Sequence, residues 1–143
     1  IIRSIEEAGL MENTTDMGYQ PHSKATHQQR EASLLILPLR KEPEYKAVLP
    51  GKLFEYLASW RPVLGIGQPD GAMSVILNQT RTGVVFDWND RVSIDKFIGI
   101  CWEKHRKGEL GVDDADLKPF TRRELTRRMA RLFDDLVKNN END

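Results

Sequence analysis

The sequence predicts an α/β fold: a doubly wound parallel sheet with helices on its faces. Three observations carry this. The apolar runs 33–39, 61–67 and 82–88 lack polar–apolar alternation, which suits strands buried on both faces. Segments compatible with helices separate them, and Pro and Gly punctuate the joints. The chain has 143 residues, enough for one domain with a real core.

The elements follow in order. Residues 2–8 read as the end of a helix, with Gly9 at the left-handed C′ position and Leu10 covering the end. "DMGYQP" (16–21) reads as a short strand and turn, and "HSKATHQQREA" (22–32) as a polar helix. "SLLILPL" (33–39) is the first buried run, stopped by Pro38. A charged loop (40–50) leads into a helix over 51–59. "RPVLGIG" (61–67) is the second buried strand, with Pro62 tolerated at its first residue. A loop and short helix fill 68–80, and "TGVVFDW" (82–88) is the third strand. Apolar residues at 94, 97, 98, 101 and 102 mark a helix ended by Gly108. After an acidic connector (109–118), Thr121 and Glu124 fit a capping box opening a helix over 119–138. Leu125, Met129, Leu132, Phe133 and Leu136 form its apolar stripe.

Bulk properties exclude several classes. Net charge is −1, so no basic field argues for nucleic acid. No segment approaches the ~20 apolar residues of a membrane span. Cys101 is the only cysteine, which excludes an internal disulfide and points to a reducing compartment. The opening "IIRSIEEAGL" starts in mid-helix without a signal-peptide pattern. The sequence therefore reads as one N-terminally truncated domain, 1–143, of something longer.

In α/β sheets, ligands sit beyond the carboxyl ends of the strands. Pro50 and Gly51 stand at the start of the 51–59 helix, where backbone N–H groups lack internal partners. Gly51 allows close approach, and Lys52 adds a positive charge, which suits phosphate. Glu55 shares the helix face at i+3 and can accept hydrogen bonds from ribose hydroxyls. The competing reading is an exposed Lys52–Glu55 pair worth a few tenths of a kcal/mol.

The stretch "PGKLFEYLASWRPVLGI" resembles the donor-site motif of GT-B fold glycosyltransferases of the retaining family-four group. The matching positions are Pro38, Gly51, Lys52, Glu55, Tyr56, Leu57, Ala58, Pro62 and Val63. "GYQPHSKATHQQREASLLILPL", "TGVVFDWND" and "FTRRELTRRMARLFDDL" resemble further parts of that pattern in order, so the likeness spans nearly the whole chain. The resemblance implies part of a Rossmann-like C-terminal domain that binds a nucleotide-diphosphate sugar. In it, Glu55 would hold the ribose, Gly51, Lys52 and Leu53 would lie at the diphosphate or sugar, and Gln20 and Pro21 near the base. The full-length protein would transfer the sugar, of hexose type, to a hydroxyl acceptor, using no metal or other cofactor, with Lys52 steadying the departing diphosphate. This piece alone would be inactive.

Two positions depart from the pattern. Ala47 stands where many relatives have a second, sugar-contacting glutamate. Trp60 stands where the family ends the helix with glycine, so strain or a different helix end is expected. The resemblance also implies a missing acceptor-binding N-terminal domain and missing strands beside "DMGYQ". An uncovered strand edge predicts low stability or pairing with another chain, a dimer included.

Other signals point elsewhere. "GIGQPDG" fails as a dinucleotide fingerprint because Asp70 replaces the third glycine. His22, His27 and His105 lack metal-ligand spacing, and Asp114-x-Asp116 lies in a connector. Arg122, Arg123, Arg127, Arg128 and Arg131 make either a solvated face or a surface for anionic lipid, and the resemblance implies that this helix crosses back to the N-terminal domain, with some arginines at an interdomain contact; the expected place is the cytoplasm or the inner face of a membrane. The alternative to the enzyme is a non-catalytic α/β binding module. Its receiver-domain version lacks the acidic cluster at the strand end, where Pro38 and Arg40 stand.

Overall fold

Three parallel strands, β1 (Leu35–Pro38), β2 (Val63–Ile66) and β3 (Gly83–Phe86), carry the architecture of the chain. They lie side by side in the order β1-β2-β3, with Leu35, Val63 and Gly83 in register. The computed structural model describes residues 2–109 and 111–140, with the side chains of 139 and 140 excepted.

Among the described residues six α-helices accompany the sheet: α1 (Ile2–Glu7), α2 (His22–Glu31), α3 (Gly51–Leu57), α4 (Ala72–Thr80), α5 (Arg91–Arg106) and α6 (Arg122–Asn140). The α/β class and the parallel sheet agree with the sequence. The strand order does not reverse among the described residues, so these strands do not form the switch point that defines double winding.

Burial follows the layering. Leu53, Leu57, Met73, Ile76 and Leu77 of α3 and α4 pack against Leu35, Leu37, Val63 and Val85 on one face. On the other face, Phe97 of α5 meets Phe86 edge-on at 5.7 Å between ring centres. Only β2 is buried on both faces across three successive residues, Val63, Leu64 and Gly65. The continuous apolar run at β1 does not mean two buried faces: Leu35 and Leu37 point inward, while Ile36 and Pro38 are exposed. A central strand has neighbours on both sides, whereas an edge strand is covered mainly where a helix crosses it.

Residues 16–21 form no strand. The Asp16 carboxylate accepts a hydrogen bond from Gly18 N at 2.8 Å, and Gly18 has φ +56°, a local turn that bends the backbone out of extended geometry. Among the described residues β1 is therefore one edge of the sheet, with β3 the other, and it is blunted by Pro38, which has no N–H to offer a partner.

The helix ends behave as their residues dictate. α1 closes with Gly9 at φ +68° and hydrogen bonds Gly9 N to Glu6 O and Leu10 N to Ile5 O, a Schellman arrangement. α3 ends short of Ser59, and Trp60 is left-handed at φ +59°. The strain anticipated for this misfit is thus present, at the level of roughly 1–2 kcal/mol for a non-glycine residue there.

At α6, a 3-10 turn (Lys118–Phe120) precedes the helix. Thr121 Oγ1 accepts from Glu124 N at 3.3 Å, half of the expected capping box. The reciprocal half is not made: Thr121 N donates to Lys118 O, and the Glu124 carboxylate receives Arg127 and Arg128 instead. The apolar stripe of α6 is exposed rather than packed on the sheet. No helix among the described residues is long and apolar enough to cross a membrane.

Candidate functional site

The loops leaving the three strands meet at the carboxyl edge of the sheet. The β1–α3 loop carries a 3-10 turn (Pro43–Ala47) and lies against the β2–α4 loop. Gln68 Nε2 donates to Glu42 O at 3.2 Å, and Lys46 Nζ pairs with Asp70 Oδ2 at 2.5 Å. The Lys46 hydrogen bond holds the Asp70 carboxyl below its usual range. Trp88 Nε1, from the β3–α5 loop, donates to Leu39 O at 3.0 Å. Asp70, which spoils the dinucleotide fingerprint, thus fastens two loops together.

α3 begins at this edge. Pro50 is its N-cap, and Leu53 N donates to Pro50 O at 2.9 Å. Leu53 is fully buried in the core, so its side chain and amide are already engaged. Gly51 and Lys52 are the exposed part of the turn, and open space surrounds the Gly51 Cβ direction. α3 has seven residues, about two turns, so its dipole is modest and Lys52 supplies most of the local positive charge.

Glu55 lies one turn on and is half-buried. It makes no ion pair with Lys52 among the described residues, so the exposed i,i+3 pair does not form. Instead, Gln29 Nε2 of α2 donates to Glu55 Oε2 at 3.3 Å. The two helices enclose a groove of about 310 Å³, lined by His22, Thr26, Gln29, Phe54, Glu55 and Ser59 among others. The next residue, Tyr56, has its hydroxyl pKa raised, chiefly by burial and secondarily by the Glu55 charge.

The sequence-chosen residues therefore converge only in part. Lys52 and Glu55 share the first turns of α3. Pro21, the N-cap of α2, directly precedes His22 on the groove wall. Gln20 turns back on its own loop, with Nε2 donating to Met17 O. Thr26 and Gln29 are groove residues that sequence reasoning missed. Their spacing, 22-26-29, places them with His22 on one face of α2, and that signal was available.

A larger cavity of about 500 Å³ opens at the opposite, amino edge of the strands, beside Pro62, Thr82, Gly83 and Cys101. Part of its charged wall is self-engaged: Arg81 Nε donates to Asp114 O at 2.8 Å and pairs with the same residue's carboxylate. No cluster of three or more His, Cys, Asp or Glu side chains suited to a metal occurs among the described residues.

No protein-family model matches the chain, and no curated protein or solved structure matches it either.

Proposed function

We propose that the chain is the donor-binding part of a GT-B-type glycosyltransferase and takes the nucleoside diphosphate of a sugar donor at α3. The observation that carries the reading is Glu55: a half-buried carboxylate facing a groove, with Gln29 as its one hydrogen-bond donor among the described residues. A carboxylate so placed has acceptor capacity left for two adjacent hydroxyls, as on a ribose. Lys52 stands three residues away in the sequence, exposed, with no ion pair among the described residues, and would meet the diphosphate that follows the ribose. In the whole enzyme, catalysis would rest on positioning and on stabilising the departing diphosphate. The cytoplasm is the compartment this reading implies.

Calorimetry with the full-length protein tests it. UDP or GDP should bind, Glu55→Ala should abolish binding of both the diphosphate and the bare nucleoside, and Lys52→Ala should weaken the diphosphate selectively. No binding of either diphosphate by the full-length protein would refute the proposal.

A further inference from the structure

The exposed side of α6 is built as a seam. Leu125, Met129, Leu132 and Leu136 follow the 4-3-4 spacing of a heptad's d and a positions. All four are between 48% and 60% exposed, and Phe133 and Val137 beside them are similarly open. The helix packs mainly on the 3-10 turn that precedes it, and the sheet leaves this face uncovered. A 19-residue helix carrying such a stripe gains little stability without a partner for it.

The charges say which partner fits. Residues 122–131 hold five arginines and one glutamate, while 132–140 hold two aspartates and one lysine. Two such helices aligned in parallel would bring their arginine-rich halves side by side and set Arg128 beside Phe133 of the other copy, without a charge partner. Aligned antiparallel, Met129 meets Leu132 of the other copy and Leu125 meets its Leu136. The flanking Arg128 then falls beside Asp135 of the other copy, at matching g positions. An anionic bilayer fits less well, because Asp135 flanks the apolar stripe.

We propose that α6 is a self-association surface that joins two copies of this chain in an antiparallel helix pair. This surface is distinct from the sheet edge, and the proposal does not depend on the nucleotide reading.

Sedimentation of the full-length protein should show a dimer. Leu132→Glu should weaken it roughly tenfold or more, since it puts charge into the seam. Arg128→Asp and Asp135→Arg should each weaken the dimer, and the double exchange should restore it. A mixture of Leu125→Cys and Leu136→Cys proteins should cross-link, whereas Leu125→Cys alone should not. These residues are exposed, so the packing of the sheet core should be unchanged. A monomer at the highest soluble concentration, a dimer indifferent to Leu132→Glu, or charge variants without rescue would overturn the proposal. So would a monomer whose α6 binds phosphatidylserine vesicles or is covered by another part of the same chain.

Discussion

Three glycine-to-alanine substitutions should give three different outcomes from one added methyl group. At Gly83, the first residue of β3, an added Cβ would lie 2.0 Å from Val63 O, a backbone atom of the central strand. Restoring ordinary contact moves β3 from β2 by about 1 Å. The neighbouring bonds Val63 N to Thr82 O and Gly67 N to Phe86 O are both 2.9 Å, and such a shift takes them beyond hydrogen-bonding distance. Val63 is fully buried, so water does not replace the lost partner. Two bonds weakened in this way cost roughly 3–5 kcal/mol, out of a total that is typically ~5–15 kcal/mol.

At Gly65 the new methyl meets side-chain ends, Val85 Cγ2 at 2.8 Å and Met73 Cε at 3.0 Å. The thioether can adjust, which puts the cost nearer 1–2 kcal/mol. At Gly99, inside α5, nothing lies within 4 Å, and alanine should stabilise by about 0.5–1 kcal/mol through lower unfolded-state entropy. Urea unfolding followed by circular dichroism should rank the midpoints Gly99→Ala, wild type, Gly65→Ala, Gly83→Ala, with similar slopes. A Gly83→Ala protein within ~0.5 kcal/mol of wild type would refute the steric reasoning.

The carboxyl of Glu124 should titrate near pH 2, because the hydrogen bond from Arg127, with the charges of Arg127 and Arg128, lowers its pKa from 4.5 to about 2. A lowered folded-state pKa means its contribution is present above pH 4.5 and fades as pH falls from there through about 2. Carbon-detected NMR should find this midpoint, and Arg127→Gln should move it back up; an ordinary midpoint in the wild type would exclude the pairing. Cys101 is buried on α5, and that burial raises its thiol pKa despite Lys104 nearby. Iodoacetamide should therefore modify it far more slowly in the folded protein than in urea, and equal rates would contradict its placement.

Much of the fold was legible because it is written in local chemistry. The Gly9 ending of α1 was one case, and the Gly108 ending of α5, at φ +76°, was another. The Thr121 cap of α6 needed only its own neighbours. Trp60 was flagged through the resemblance, whose pattern puts glycine there, and a left-handed position disfavours any other side chain. The candidate site was half legible: Lys52 and Glu55 stand out on α3, but the groove they border needs α2 laid beside it.

Two of the failures share one cause. Apolar runs predict burial without saying how many faces a strand can bury, and the edge position of β1 leaves Ile36 exposed. The α6 stripe likewise announces an apolar face but not whether this chain covers it.

Apart from residues 16–21, the sequence by itself determined the element types, their order and the chemistry gathered at the start of α3, because those depend on contacts a few residues apart. Only the tertiary structure decided that Glu55 faces Gln29, that Asp70 clasps Lys46, and that α6 offers its stripe outward. Each of those rests on groups distant in the chain, and their meeting is set by how the helices pack on the sheet.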